Sequence, residues 1–264
     1  MAETMRQIDR IDTGPRFNEA EAVRLNRLFR GTDTVDMLTS VLREGLAGDV
    51  AVVSSFGAES AVLLHLVAQI SRDLPVLFLD TGKHFAETIA YRDTLVSHLG
   101  LTNLQIISPD SETIRKRDES GLRWSYDPDG CCEIRKVIPL ARALAQFDAS
   151  ITGRKGFQSQ TRAGLPRFEI DTSDAQGRLK INPLADWSAD ALAAYFTEHD
   201  LPAHPLVAAG YPSIGCSPCT SKVAAGEDAR SGRWKGWDKT ECGIHQPVTG
   251  ATDDDLPPGY DPVF

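Results

Sequence analysis

The 264-residue sequence predicts an α/β domain, a parallel sheet flanked by helices, followed by an irregular C-terminal segment. Three observations predict it. Short strand-like runs at 50–53, 75–79, 104–107 and 149–152, the first two apolar, alternate with stretches of helical periodicity, the pattern of βαβ units with right-handed crossovers. The first run passes directly into the small-residue loop Ser54-Ser-Phe-Gly-Ala-Glu-Ser60. From about Gly210 onward the periodicity fades into Gly, Ser, Pro, Lys, Arg and Trp, which build no core by themselves.

Taken in order, residues before Phe17 read as a loose arm, and Asn18 with Glu21 forms a capping-box pattern opening a helix through Ala22, Leu25, Leu28 and Phe29. A second helix, capped near Asp33 or Thr34, runs through Val35, Leu38, Val41 and Leu42 and ends at Gly45 and Gly48. Both are expected to cover one face of the sheet. After the first strand and its loop, Val62, His65, Leu66 and Gln69 carry helical spacing. The second strand ends in Asp80-Thr-Gly82, polar residues where open α/β sheets bind ligands, although a turn with a helix cap explains them locally. A helix through Ile89, Arg92, Leu95, Val96 and Leu99 closes at Gly100, ahead of the third strand. Ile134, Val137 and Ile138 mark a further helix before the fourth strand, and Leu179-Lys-Ile-Asn182 is a possible fifth. The expected organisation is an N-terminal helical region (1–48), an α/β core (49–210), a cysteine-bearing segment (211–246) and an acidic, proline-bearing tail (247–264).

Composition narrows the function. With 41% hydrophobic residues a sizeable core can form, and a formal net charge of −9 argues against a nucleic-acid binder. An anionic substrate would need a local basic patch against that field. No stretch is long and apolar enough for a membrane span, and the polar start is not a signal peptide, so a cytoplasmic protein is expected. Five cysteines, an odd number in a reducing compartment, point to metal or catalysis rather than disulfides.

The loop after the first strand aims backbone N–H groups and a helix N-terminus at one point, a cradle for phosphate or sulfate. It has neither the Lys-Ser/Thr of a Walker A loop nor the three glycines of the dinucleotide fingerprint, and a plain strand-to-helix turn is the competing reading. Cys131-Cys132 and Cys216-Ser-Pro-Cys219 supply four thiols, the ligand count of a structural zinc or an iron–sulfur cluster. Adjacent helical residues point about 100° apart, which suits two irons of a 4Fe–4S cubane better than one tetrahedral ion. Cys242 stands apart in Lys239-Thr-Glu-Cys-Gly-Ile-His245, where neighbouring cations favour a nucleophilic thiolate over an idle surface thiol. Basic residues recur beside these motifs at Arg135-Lys136, Arg154-Lys155, Arg162, Arg230, Arg233 and Lys235, fit to neutralise phosphate and sulfate oxygens.

Between about residues 50 and 246 the chain resembles the assimilatory adenylyl-sulfate reductases of iron–sulfur type, in the phosphoadenylyl-sulfate reductase family. The motifs are the loop 54–60, Leu79-Asp-Thr-Gly82, Cys131-Cys-Glu-Ile-Arg-Lys136, Gly153-Arg-Lys155, Gln160-Thr-Arg162, Gly215-Cys-Ser-Pro-Cys219, Arg230-Ser-Gly-Arg-Trp234 and Glu241-Cys-Gly-Ile-His245. The resemblance implies the adenine-nucleotide alpha hydrolase fold, with Ser55 and Gly57 holding the nucleotide, Leu79 and Gly82 near the adenosine, and Cys131, Cys132, Cys216 and Cys219 binding a 4Fe–4S cluster. It further implies that Lys136, Arg162, Arg230 and Arg233 hold the phosphosulfate, with His245 at the substrate too. Cys242 would attack the sulfur of adenosine 5′-phosphosulfate, and thioredoxin or a similar dithiol donor would release sulfite. The loop Ser54-Ser-Phe-Gly is closer to reductases that take the 3′-phosphorylated substrate, whereas the cysteine pairs belong to those that take the unphosphorylated one; the cysteines favour the latter, with dual use open. An RNA-thiolation ATP pyrophosphatase would need the full Ser-Gly-Gly-x-Asp-Ser loop and a basic surface, and a non-catalytic metal-binding module would leave Cys242 idle. A homo-oligomer is compatible with the sequence.

Overall fold

In the computed structural model residues 16–159, 162–173, 177–224, 226–239 and 241–245 are described. The expected N-terminal arm, apart from its last residue, and the acidic tail lie outside them. The chain runs α1 (Glu19–Leu28), α2 (Thr34–Arg43), β1 (Val50–Val53), α3 (Ser60–Ile70), β2 (Val76–Leu79), α4 (Ala86–Leu99), β3 (Leu104–Ile107), α5 (Ser111–Arg117), α6 (Pro128–Cys132), α7 (Ile138–Leu144), β4 (Ala149–Thr152), β5 (Phe168–Ile170), β6 (Leu179–Ile181), α8 (Ala189–Glu198) and α9 (Pro205–Ala208). Between α6 and α7 the helix continues through a widened turn at Glu133–Val137. The cysteine pair therefore sits inside a helix rather than ahead of one.

The sheet order is β3-β2-β1-β4-β6-β5, parallel throughout except for β5, which pairs antiparallel with β6. Its two faces are read off the pleat. Val50 and Val52 of β1, with Val76 and Phe78 of β2, join a large core with α1, α2, α3, α4 and Leu192 of α8. The alternate residues Ala51, Leu77 and Leu79 meet Leu140 and Leu144 of α7 on the other face, with Ile244 packed against them. Chain order changes direction between β1 and β4, so their carboxyl ends diverge into a crevice, the usual ligand position in such sheets.

The N-terminal helices cover one face as expected, with detail the sequence did not show. The Asn18 side chain accepts from Glu21 N–H at 3.0 Å, but Glu21 turns to Arg24 at 2.7 Å instead of closing a capping box. Asn26 of α1 exchanges two hydrogen bonds with the Phe168 backbone, fixing α1 against the edge strand β5. Asp33 caps α2 by accepting from Val35 N–H at 2.7 Å. Three helices and one strand lay outside the sequence reading: α5, α8, α9 and β5. No helix among the described residues is long and apolar enough to cross a membrane.

Candidate active site

A cavity of about 520 Å³ opens over the carboxyl ends of β1 and β4. Its floor is the loop after β1. Ser54 Oγ accepts from Phe56 N–H at 3.2 Å, and Phe56 turns into the left-handed region at φ 47°, its ring fully buried edge-on against Phe78. This strained turn aims Ser55, Gly57 and Ser60 at the cavity. Gly57 passes close to another stretch of chain: a Cβ there would stand 3.3 Å from the Ile214 carbonyl oxygen.

Of the residues singled out from sequence, Ser55, Gly57, Leu79, Lys136, Arg162, Arg230, Arg233 and Cys242 all line this cavity. Gly82 does not. It lies beyond β2, next to Arg135, with its N–H donating to Asp80 at 3.0 Å. The His245 side chain, with Gln160 and Thr161 of the Gln-Thr-Arg motif, lies outside the described residues.

The four paired cysteines line a second, smaller cavity together with Arg135, Lys136, Trp124 and Trp234. Cys131, Cys132 and Cys216 are buried, Cys219 is half-buried, and all are free thiols. Burial pushes the Cys131 thiol up to about 11 and raises that of Cys219. Cys216 and Cys219 are held by a tight turn in which Thr220 Oγ1 bonds the Cys216 carbonyl at 2.9 Å, Ser217 N–H bonds the Lys83 carbonyl at 2.8 Å and Trp234 N–H bonds the Cys219 carbonyl at 3.1 Å. Across the cavity Thr81 Oγ1 lies 3.3 Å from Cys216 Sγ. Four soft thiolate donors around one space are the donor set of a zinc or an iron–sulfur cluster. Among the described residues no group of three or more Cys, His, Asp or Glu is gathered as a site for a single metal ion.

Lys136, Cys216 and Trp234 belong to both cavities. Lys136 Nζ sits 3.8 Å from Cys242 Sγ. Burial opposes the lysine's charge, but the thiols of Cys216, Cys242 and Cys132 outweigh it, and Lys136 is held protonated. The Cys242 thiol shares a hydrogen bond with Cys132 that lowers the proton affinity of Cys242 and raises that of Cys132; Lys136, Arg233 and the Ile244 N–H push Cys242 the same way against its burial. Among the described residues no carboxylate pairs with Lys136 or Arg233, and Arg233 lies 4.5 Å over the Trp234 ring. Gly215 makes room for that guanidinium, which occupies the space a Cβ would take.

Sequence reasoning missed the acidic partners. Glu59 accepts from Lys155 Nζ at 2.8 Å and Gln158 Nε2 at 2.7 Å. Gln158 in turn contacts Arg162, and Glu241 pairs with both Arg162 and Arg230. The weak signal available was position: Glu59 stands next to last in the loop motif and Glu241 precedes Cys242.

Known proteins resemble this chain over most of its length. Residues 49–222 match the family model described as phosphoadenosine phosphosulfate reductase domain. The chain is 50% identical to adenosine 5′-phosphosulfate reductase of Mesorhizobium japonicum over 91% of this chain and 93% of that one. It is 57% identical to the protein of the same name from a Chelativorans species, over 76% and 80% of the two chains. Among solved structures, phosphoadenylyl-sulfate reductase from Candida auris in a phosphate complex superposes with a TM-score of 0.64 at 27% identity, covering 80% of this chain and 100% of that one. The fold has its counterpart in the Candida auris structure, and by the family model and the identities to these relatives the chain belongs to the phosphoadenosine phosphosulfate reductase family.

Proposed function

We propose that this chain reduces adenosine 5′-phosphosulfate to sulfite and AMP through an S-sulfocysteine on Cys242, in sulfate assimilation, with thioredoxin or a similar dithiol as donor. The observation that carries the reading is the placement of the Cys242 thiol beside Lys136, in one cavity with Arg162, Arg230 and Arg233 and with the loop after β1. The names of the relatives fit this chemistry.

In this reading Ser55 and Gly57, at the N-terminus of α3, hold the nucleotide, and Leu79 lies along the adenosine; Gly82 acts from outside the cavity wall, through the shape of the turn. Lys136, Arg162, Arg230 and Arg233 take the phosphosulfate oxygens, with His245 beside them. The Cys242 thiolate attacks the sulfur, the S–O bond to the phosphate breaks, and its electron pair leaves on AMP. The guanidinium and ammonium groups stabilise that growing negative charge where little water reaches. A donor thiolate then attacks Cys242 Sγ and sulfite departs with the electron pair of the S–S bond. The second donor thiol resolves the mixed disulfide and restores Cys242, so both electrons come from the donor.

Cys131, Cys132, Cys216 and Cys219 would hold a 4Fe–4S cluster, which supplies fixed charge and covalent organisation next to Lys136. The segment 211–246 then works as one unit with the core, since Cys216, Arg230 and Arg233 line the same cavity as the loop after β1. The test is sulfite release by anaerobically purified protein given adenosine 5′-phosphosulfate or its 3′-phosphorylated analogue with reduced thioredoxin. The unphosphorylated substrate is expected to be preferred. Wild-type rates from Cys242→Ser would overturn the mechanism.

A further inference from the structure

The anion-binding arginines of the cavity are already holding an anion. Glu241 lines the cavity and meets Arg162 in a two-point contact, Nε to Oε1 at 3.0 Å and Nη2 to Oε2 at 2.7 Å. Arg230 Nη2 reaches Oε2 at 3.3 Å, and Ser159 Oγ donates to Oε1 at 3.1 Å. The side chains of Arg162 and Glu241 are only 11% and 14% exposed, so the contact is shielded from water and salt. A carboxylate gripped at both oxygens by guanidinium groups presents the same stereochemistry as one face of a phosphate or sulfate.

We propose that Glu241 is an internal stand-in for the substrate's anion: it holds Arg162 and Arg230 in the empty site and is displaced from them by the phosphosulfate. The proposal rests on the reductase reading given above. Three consequences follow from its place in the chain. In the empty site the carboxylate spares two half-buried arginines an uncompensated charge. Because Cys242 is the next residue and its thiol lies beside Lys136 in the same cavity as the two arginines, an anion arriving on them comes to rest next to the nucleophile. After transfer, the returning carboxylate competes with AMP for the arginines and favours its release. Glu241 touches the arginines and not the reacting atoms, so it is a positioning residue.

The probe is adenosine 5′-diphosphate, a non-reacting analogue whose terminal phosphate takes the place of the sulfate. Its affinity is measured calorimetrically on the anaerobically purified full chain for wild type, Glu241→Gln and Ser159→Ala, alongside KM and kcat for adenosine 5′-phosphosulfate. Removing the competing charge is expected to tighten the diphosphate about tenfold in Glu241→Gln, the scale of one charge-assisted contact. Ser159→Ala, which removes the hydroxyl donated to Glu241 Oε1, shifts affinity the same way by about threefold. KM for the substrate falls in Glu241→Gln while kcat does not rise, a split that a general loss of structure would not give. Unchanged or weaker diphosphate binding in both variants overturns the proposal, and Ser159→Ala decides alone should Glu241→Gln not fold. Tighter binding in the variants, with no sulfite from any of the proteins, would uphold the stand-in and overturn the reductase reading instead.

Discussion

Replacing Asp118 by asparagine removes one charge and almost no volume, at a position where the charge is fully enclosed. The Asp118 side chain is 0% exposed and that of its partner Arg135 9%. Arg135 donates to Asp118 Oδ2 through Nε at 3.1 Å and Nη2 at 2.6 Å, and through Nη1 to the Thr81 carbonyl at 2.8 Å; Arg123 N–H fills Oδ1 at 2.8 Å. Asparagine leaves the guanidinium buried without a counter-charge, and breaking one side of such a pair costs about 3–5 kcal/mol. The double variant Asp118→Leu/Arg135→Met, which removes both charges, is expected to recover most of that loss. The pair joins the Thr81 turn to the helix carrying Cys131 and Cys132, so Asp118→Asn should also lose iron more readily. Urea unfolding at pH 7 measures the stability, with an unchanged m-value showing that the denatured state is the same. Burial works to raise the Asp118 pKa, but the Arg135 hydrogen bonds, the Arg123 N–H and the Arg135 charge outweigh it and hold the group below its ordinary 3.8. A lowered carboxyl pKa stabilises the fold above that ordinary value and loses the contribution as pH falls through the folded-state value. The gap between wild type and variant is therefore full at pH 7 and closes below about pH 4. A loss under about 1 kcal/mol with unchanged m would refute the reasoning, since that is the worth of a solvated surface pair.

Four further outcomes are expected. Phe56→Ala costs about 3–5 kcal/mol for the lost ring, and Phe56→Gly costs about 1 kcal/mol less because glycine accepts the left-handed backbone; urea midpoints that rank glycine below alanine would show the turn is unstrained. Gly215→Ala displaces the Arg233 guanidinium and should raise KM for adenosine 5′-phosphosulfate with little change in melting temperature. Serine at Cys131, Cys132, Cys216 or Cys219 should lower bound iron and the visible absorbance of anaerobically purified protein, whereas serine at Cys242 leaves both intact. His204 is buried against Tyr91, bonded to Thr88 at 3.1 Å and to Leu206 N–H at 3.2 Å, and burial lowers its pKa to about 4. The unfolded chain then takes up the proton first, so stability falls by about 1.4 kcal/mol per pH unit from about pH 6.5 down towards 4, a slope His204→Asn should remove.

How much of this was legible follows from the range over which each signal acts. β1 and β2 are short, continuous apolar runs, β3 and β4 are short runs with one or two polar residues among the apolar ones, all four are bounded by turn residues, and the sequence reading places them where they stand. β5 is three residues with Glu169 in the middle, and its reason for being a strand is its antiparallel pairing with β6 and the Asn26 side chain, neither of which leaves a local trace. α8 carries readable marks, the Ser188 cap and Asp190 in its first turn, but its alanine-rich run is weakly periodic. The cysteine motifs named their residues without their geometry: Cys132 and Cys242, far apart in the chain, meet only after α6 and the C-terminal segment converge. Gly82, placed near the adenosine by the family resemblance, sits three residues past Leu79, the end of β2 that lines the cavity, and its turn faces Arg135. The carboxylates on the arginines were invisible for the same reason, since pairing of Glu241 with Arg162 joins residues with no local signal of each other.

The central claim is covalent transfer of the sulfonate to Cys242, and the most direct test is a single turnover without a thiol donor. Anaerobic protein mixed with a small excess of adenosine 5′-phosphosulfate, quenched and digested, should release one equivalent of AMP and carry one sulfonate on the peptide containing Cys242, which reduced thioredoxin then discharges as sulfite. AMP release with no adduct on Cys242, or an adduct on another cysteine, would contradict the account.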